Sequence, residues 1–184
     1  PVDAITMVRS DKSRMYSGTF RNGMMVYGRL APGEENSGKL VNLVREEAKR
    51  LSQEGSLDTV LLDGPPGIGC PVISTVTGVD KIVIVTEPTM SALADLKRVH
   101  EVARKFSGEV GVIINKYDLN EPMADRIEGW CAAQETTILG RLPFEKKVTE
   151  SMVDGKSIAE LYPESEISKT LGVIWNKLIS NGKE

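Results

Sequence analysis

Two stretches decide the fold: Thr59-Val-Leu-Leu-Asp-Gly-Pro-Pro-Gly-Ile-Gly69 and, after a short helical segment, Lys81-Ile-Val-Ile-Val85. Their short β-branched runs carry no polar alternation, which is typical of strands buried on both faces. The same order of strand, polar cluster and helix recurs at Glu109–Ile114 and Thr136–Leu139. Because strands alternate with helices, the sequence predicts an α/β fold with a mainly parallel sheet.

The remaining elements follow from hydrophobic periodicity and turn residues. Two β-like runs, Met15–Phe20 and Met24–Leu30, flank Arg21-Asn-Gly23, and Asn-Gly is a strong hairpin signal. Helices are predicted at about Lys39–Gln53, from about Pro71, and at Ser91–Phe106, Glu121–Ala133, Lys146–Val153 and Glu164–Ile179. The polar clusters follow the strands, which predicts that they meet at the carboxyl edge of the sheet, where open α/β folds bind ligands.

Composition excludes several classes of function. The chain has 184 residues with 23 Lys and Arg against 26 Asp and Glu, so its net charge of −3 argues against general nucleic-acid binding. One histidine and two cysteines exclude a multi-histidine zinc site and a four-thiolate metal site within one chain. No apolar run is long enough to span a bilayer. Few cysteines and no signal segment predict a cytoplasmic location.

Asp63-Gly-Pro-Pro-Gly67 is the strongest local motif. A carboxylate at the tip of a buried strand needs a partner, and magnesium or its coordinated water is a suitable one. The stiff loop leaves the N–H of Gly67 free to sense a γ-phosphate. The alternative is an ordinary strand-to-helix turn in which Asp63 caps nearby N–H groups.

Asn115-Lys-Tyr-Asp118 is the second motif. The Asn115 amide can bind a purine edge, the stem of Lys116 can lie against the ring, and Asp118 can accept two guanine N–H groups as in GTP-binding proteins. The alternative is a plain turn before a helix, because Asn and Asp both favour turns.

Other candidates are weaker. Gly33-Glu-Glu-Asn-Ser-Gly-Lys39 fits the phosphate-loop pattern G-x-x-x-x-G-K, but Leu40 stands where the motif needs Ser or Thr, so it is interpreted as a false match. Cys70 begins a helix, a position that favours a reactive thiol, and the alternative is that it is a small buried residue. His100 is interpreted as part of a solvated helix face, and Cys131 as a packing residue.

Together, Gly33–Lys39, Asp63–Ile73, Thr86–Thr89 and Asn115–Asn120 resemble the MinD/ParA/Mrp class of P-loop ATPases, in the branch with an inserted ferredoxin domain. The resemblance covers about residues 1–153. It implies a three-layer, Rossmann-like P-loop NTPase fold that lacks its first strand and phosphate loop here. It also implies that residues 1–30 are the end of the ferredoxin-like insert plus the hairpin, and residues 31–184 the ATPase core.

The resemblance assigns roles residue by residue. Asp63 matches the residue that holds the magnesium-bound water, and Gly67 matches the switch glycine near the γ-phosphate; these two are the catalytic candidates. Asn115 matches the residue that reads adenine, and Pro143 lies in the segment that closes the base pocket. The other nucleotide-binding candidates are Gly64, Pro65, Pro66, Lys116 and Asp118. Cys70 has the offset of a cysteine that bridges an iron–sulfur cluster in the nitrogenase iron protein.

The resemblance therefore implies an ATP- and magnesium-dependent switch linked to iron–sulfur handling or electron transfer. It places a 4Fe–4S cluster in a missing upstream segment, because Pro1-Val-Asp-Ala-Ile5 is similar to the residues that follow a ferredoxin motif. The intact protein is expected to act as a homodimer with an iron–sulfur or redox partner, and the chain alone is expected not to hydrolyse nucleotide. A GTPase-type switch and a non-catalytic interaction module stay open.

Overall fold

The chain folds as two units in the computed structural model, Pro1–Thr77 and Gly78–Glu184. The structure describes residues 13–21, 23–31, 37–106 and 108–180. Asn22 of the predicted turn and most of the Gly33–Lys39 stretch lie outside the described residues. The predicted module boundary between residues 30 and 31 stays a prediction.

An antiparallel hairpin begins the described part of the first unit, as the Asn-Gly signal predicts. Strand β1 (Arg14–Phe20) pairs with β2 (Gly23–Arg29), with Arg14 opposite Arg29. Helix α1 (Ser37–Glu54) packs on this hairpin. A Cβ at Gly28 would lie 2.8 Å from Leu40 Cγ, so the absence of a side chain allows helix and strand to approach closely.

Helix α2 (Cys70–Val76) lies against α1 through an arginine contact. The guanidinium of Arg45 donates hydrogen bonds to the backbone oxygens of Ser74 and Thr77. The last carbonyls of a helix have no partner within the helix, so this cation both pairs them and complements the helix dipole. Arg45 therefore fixes the end of α2 relative to α1.

The predicted strand at Thr59–Leu62 is wrong. The segment is irregular in the structure, and no described strand pairs with it. Val60 is 45% exposed and Leu61 is 82% exposed, so the apolar run is not buried. A strand needs a neighbour to pair its backbone N–H and C=O groups, and an apolar run alone does not supply one.

The second unit contains the parallel sheet. Strands β3 (Lys81–Thr86), β4 (Glu109–Asn115) and β5 (Thr137–Leu142) lie in the order β3-β4-β5. Their parallel direction matches the prediction. The helices of this unit are α3 (Met90–Ala103), α4 (Glu121–Ala133), α5 (Lys146–Val153), α6 (Ile158–Leu161) and α7 (Glu166–Ser180).

Both faces of this sheet are buried. On one face, Ile113 and Leu139 form a cluster with Ile174 of α7. Residues along a strand alternate between faces, so Val112 and Ile114 point to the other side, where both are completely buried. This two-sided burial explains why the strands read as continuous apolar runs.

The pairing of β4 with β5 contains a β-bulge. Val112 lies opposite Ile138, but Ile113 lies opposite Gly140, so Leu139 is the extra residue. The backbone oxygen of Leu139 accepts a hydrogen bond of 2.8 Å from Lys177 Nζ of α7. A bulged residue drops out of the ladder, and this lysine supplies the partner that the ladder does not.

Candidate functional site

The ends of the three parallel strands lie side by side. Thr86 of β3 pairs with Ile114, and Asn115 of β4 pairs with Leu142 of β5. The segments that follow the strands therefore begin at one edge of the sheet, here called the carboxyl edge. The sequence predicted this convergence for these strands, and it is the position at which open α/β sheets hold ligands.

Asn115 and Lys116 end the central strand. Asn115 is the last residue of β4 and is half-buried. Lys116 adopts a left-handed conformation (φ 55°, ψ 41°), which is uncommon outside glycine. Its Nζ lies 2.7 Å from Glu87 Oε1, so the residue after β4 is tied to the residue after β3.

Asp118 lies in the 3-10 turn Tyr117–Leu119 that follows. Its Oδ1 accepts a hydrogen bond of 2.7 Å from the backbone N–H of Phe144. Phe144 and the half-buried Pro143 follow β5 directly. Asp118 thus ties the segment after β4 to the segment after β5.

Arg141 supports this edge from within β5. Its guanidinium donates to Glu128 Oε1 at 2.6 Å and to Asp125 Oδ1 at 2.8 Å, both on α4. It also lies over the ring of Tyr117, 5.7 Å from the ring centre. The hydrogen bond to the Glu128 carboxylate raises the pKa of Arg141, because a nearby negative charge that accepts from the guanidinium stabilises its charged form.

The Asp63 loop belongs to the first unit, so the predicted site residues are divided between the two units. All five residues from Asp63 to Gly67 are exposed. Gly67 has φ 95°, which only glycine adopts readily, and nothing lies within 4 Å of where its Cβ would be. Gly64 is close to α2, because a Cβ there would lie 3.0 Å from Thr75 Cγ2.

The two cysteines differ in environment. Cys131 on α4 is fully buried, and burial raises the pKa of its thiol to about 11, with a smaller contribution from Glu128. Its interpretation as a packing residue agrees with this burial. Cys70 is exposed at the first position of α2, so its interpretation as a small buried residue is wrong.

The cysteines do not fit a 4Fe–4S cluster held by this chain alone. Such a cluster needs four ligands, and the chain has two cysteines, of which Cys131 is enclosed in the core. Across residues 13–21, 23–31, 37–106 and 108–180, no group of three or more His, Cys, Asp or Glu side chains could hold a metal ion.

His100 is buried, so its interpretation as part of a solvated face is wrong. Its Nε2 shares a hydrogen bond of 2.7 Å with Thr136 Oγ1, and its ring meets Trp130 edge-on at 5.2 Å. Burial lowers the pKa of His100, and the nearby Arg104 cation adds to this effect. The helical spacing Leu93, Leu96, His100, Ala103 places this histidine on the buried face and could have revealed it.

Sequence reasoning also missed Glu87 as a partner of Lys116. Glu87 was visible in the Thr86-Glu-Pro-Thr89 cluster after β3. The pairing itself depends on the strand register, which the local sequence does not reveal. Arg141 stands two residues before Pro143, and the side of β5 that it faces depends on the bulge before it, which the local sequence does not reveal.

Comparison with known proteins assigns the family. Residues 38–179 match the ParA family model described as NUBPL iron-transfer P-loop NTPase. The chain belongs to the ParA family of P-loop NTPases. This ParA-family chain is 36% identical over 113 residues to an uncharacterized protein of Methanocaldococcus jannaschii, covering 61% of this chain and 39% of that protein.

Two further relatives support the assignment. A cytosolic Fe-S cluster assembly factor, the NUBP2 homolog of Trichoplax adhaerens, is 32% identical over 142 residues, covering 69% of this chain and 54% of that protein. The MinD cell division protein of Aquifex aeolicus superposes with a TM-score of 0.62 at 25% identity, covering 78% of this chain and 61% of that one. The ParA-family chain therefore spans only about half or less of the curated relatives' length.

In the part of the ParA-family chain that the structure describes, no helix is both long enough and apolar enough to cross a membrane.

Proposed function

We propose that this chain is the part of an ATP-dependent switch protein that senses the bound nucleotide, and that the intact protein handles iron–sulfur clusters. The observation that carries the proposal is the family match over residues 38–179, whose description names iron transfer by a P-loop NTPase. The assembly-factor role printed for the Trichoplax relative supports the link to iron–sulfur clusters. In this proposal the cluster is cargo that is passed on.

The Asp63 loop is proposed to serve the phosphates and magnesium. Magnesium keeps several waters and is usually held by one or two carboxylates plus phosphate oxygens. A single exposed carboxylate at Asp63 fits that need. Gly64, Pro65 and Pro66 would shape the loop, and the open backbone at Gly67 would let a phosphate approach its N–H.

The carboxyl edge of the second unit is proposed to receive the base. Asn115 is half-buried at the end of β4, and its amide can both donate to and accept from an adenine edge. Pro143 follows the neighbouring strand and would wall the pocket. Lys116 and Asp118 would shape this edge through their contacts with Glu87 and Phe144.

Homodimer formation and docking of a redox or iron–sulfur client are proposed for the intact protein. Movement of the Asp63 loop on ATP hydrolysis would pass through α2 to that partner. Hydrolysis would require residues that cradle the β- and γ-phosphates, because phosphoryl transfer depends on positioning and charge stabilisation there. The expectation that the present chain alone does not hydrolyse ATP stays a prediction.

The experiment measures Mg-ATP binding and hydrolysis by the full-length polypeptide that carries this chain. Asp63→Asn is expected to lower hydrolysis by 100-fold or more, roughly the effect of losing one catalytic group. Asp58→Asn, an exposed neighbour on the same segment, is the matched control and should leave hydrolysis unchanged. Asn115→Ala should weaken ATP binding about tenfold, whereas Asn176→Ala, exposed on α7, should not.

The link to iron–sulfur handling has its own readout. Full-length protein loaded with cluster is mixed with an apo-ferredoxin acceptor, and transfer is followed by visible absorbance. Asp63→Asn should slow transfer in the presence of ATP. Equal transfer rates for Asp63→Asn and Asp58→Asn, with hydrolysis lost only in the first, would contradict the coupling.

A further inference from the structure

The charged side chains of the Asn115–Asp118 segment are engaged with the protein itself. Lys116 Nζ lies 2.7 Å from Glu87 Oε1, and Asp118 Oδ1 lies 2.7 Å from the N–H nitrogen of Phe144. We propose that Glu87, Lys116, Asp118 and the Phe144 N–H form a strand-end clasp, and that Asp118 is a positioning residue that does not read guanine. The proposal rests on the proposed function, which places a nucleotide base at this edge.

The clasp joins all three parallel strands at their carboxyl ends. Glu87 follows β3, Lys116 follows β4, and Phe144 lies two residues after the end of β5. The register brings these ends together, because Thr86 pairs with Ile114 and Asn115 pairs with Leu142. Two side chains from one short segment thus hold the neighbouring segments on either side.

The backbone conformation of Lys116 is consistent with the strand-end clasp. Lys116 occupies the left-handed region at φ 55°, and a non-glycine residue remains there only when its surroundings hold it. This conformation sharply redirects the chain after β4 into the 3-10 turn. The contact of Lys116 with Glu87 and the contact of Asp118 with Phe144 stabilise this change of chain direction from both ends.

The chemistry of guanine recognition argues against Asp118 as the reader of the base. Guanine presents the N1–H and the exocyclic amino group as two neighbouring donors. A carboxylate that selects guanine uses both of its oxygens, one for each donor. Oδ1 of Asp118 already accepts from the Phe144 N–H, so one of the two oxygens that guanine would need is shared with the backbone, which also fixes how the carboxylate is oriented.

Asn115 is therefore the side chain of this segment assigned to contact the base. Within the described part of the chain, the Asn115 side chain has no hydrogen-bond partner, so its amide is available. Asp118 acts on the nucleotide only through the loop that it holds. Loss of the Asp118 carboxylate is therefore expected to weaken the binding of adenine and guanine nucleotides alike.

The test separates a clasp from a base reader by two substitutions at one position. Asp118→Asn keeps an oxygen that can accept from Phe144, whereas Asp118→Ala removes it. A guanine-reading carboxylate changed to an amide gains affinity for xanthine, because the new amide donor matches the xanthine carbonyl. Binding of ATP, GTP and xanthosine triphosphate by the full-length polypeptide, together with hydrogen exchange of the Phe144 amide, reports on both roles.

The clasp predicts that Asp118→Asn keeps the ratio of ATP to GTP affinity within about twofold and gains no xanthosine triphosphate binding. Asp118→Ala should speed exchange of the Phe144 amide by about tenfold, the effect of losing one hydrogen bond. Asp118→Ala should also weaken the binding of ATP and the binding of GTP by equal factors. Asp154→Asn, an exposed carboxylate after α5, is the control and should change none of these values.

Two results would overturn the proposal. A shift of preference from GTP to xanthosine triphosphate in Asp118→Asn would identify Asp118 as the base reader. Unchanged Phe144 exchange in Asp118→Ala would show that the clasp does not hold the loop. If the wild-type protein binds neither ATP nor GTP, the proposed function fails, and the exchange measurement alone still decides whether Asp118 holds Phe144.

Discussion

Gly111→Ala provides a sharp test of the packing that carries the carboxyl edge. Gly111 lies in β4, and a Cβ at this position would stand 2.7 Å from Leu139 Cδ1 and 2.8 Å from Leu139 Cγ. Both distances are below 3.0 Å, which real Cβ atoms essentially never show. Leu139 is itself buried, so its side chain has little room to move away.

The expected loss of stability follows from two opposing effects. Overpacking a core with an extra methyl group costs about 1–3 kcal/mol. Replacing glycine by alanine also restricts the unfolded chain, which returns about 0.5–1 kcal/mol. We therefore expect Gly111→Ala to lower the free energy of unfolding by about 1–2 kcal/mol.

Gly129→Ala is the matched control. Gly129 lies in α4, is exposed, and has nothing within 4 Å of where a Cβ would be. Alanine in place of an interior helix glycine should stabilise the fold by about 0.5–1 kcal/mol. The two variants have the same chemical change and should differ by about 2 kcal/mol, or roughly 30-fold in the unfolding equilibrium constant.

The assay is urea unfolding followed by tryptophan fluorescence. Both tryptophans, Trp130 and Trp175, lie in Gly78–Glu184, so the signal reports the unit that contains the sheet. A difference of 2 kcal/mol should separate the two midpoints by about 1 M urea. Equal midpoints with unchanged slopes would refute the close packing of β4 on Leu139 that the structure describes.

Three further outcomes are expected. Burial lowers the pKa of His100 in the folded chain below its ordinary value near 6.5, so the unfolded chain binds more protons and the free energy of unfolding falls as pH drops below about 6.5. The urea midpoint should therefore fall more between about pH 7.5 and pH 5.5 in wild type than in His100→Gln. In Arg141→Lys, the single ammonium group cannot donate to Glu128 and Asp125 as the planar guanidinium does, so the free energy of unfolding should fall by about 1 kcal/mol in the same assay. Arg98→Lys is the control and should leave it unchanged. With a thiol reagent at about pH 8, the exposed Cys70 should react in the native chain and Cys131 only after unfolding; fast reaction of Cys70→Ser would contradict the burial of Cys131.

The sequence predicted the elements of the second unit well because each is specified locally. The runs of β-branched residues in β3 and β4 are buried on both faces, so they show a clear strand pattern. Helix α4 was predicted with the bounds Glu121–Ala133 that the structure shows. The short helix α6 was missed, although Ser157 and Glu160 form a capping box that signals a helix start.

The failures arose where a neighbour decides the outcome. Thr59–Leu62 has the composition of a buried strand, but composition alone supplies no pairing partner. His100 was judged by its charged neighbours in sequence, whereas the helical repeat places it on the buried face with Leu96. For the candidate site, the residues Asn115, Asp118 and Pro143 were visible, but the contact of Asp118 with the segment after β5 depends on tertiary structure.

The β-bulge at Leu139 makes β5 sensitive to changes in chain length. Leu139 and Leu142 both face the α7 side, although strict alternation would place residues three apart on opposite faces. The extra residue also turns Arg141 toward α4, where its carboxylate partners lie. A one-residue slip of β5 against β4, which an insertion or deletion within the strand favours, would move Arg141 to the other face and drive its guanidinium toward Ile113 and Ile174. Natural variation at this strand should therefore consist of substitutions, while insertions and deletions are confined to the loops on either side.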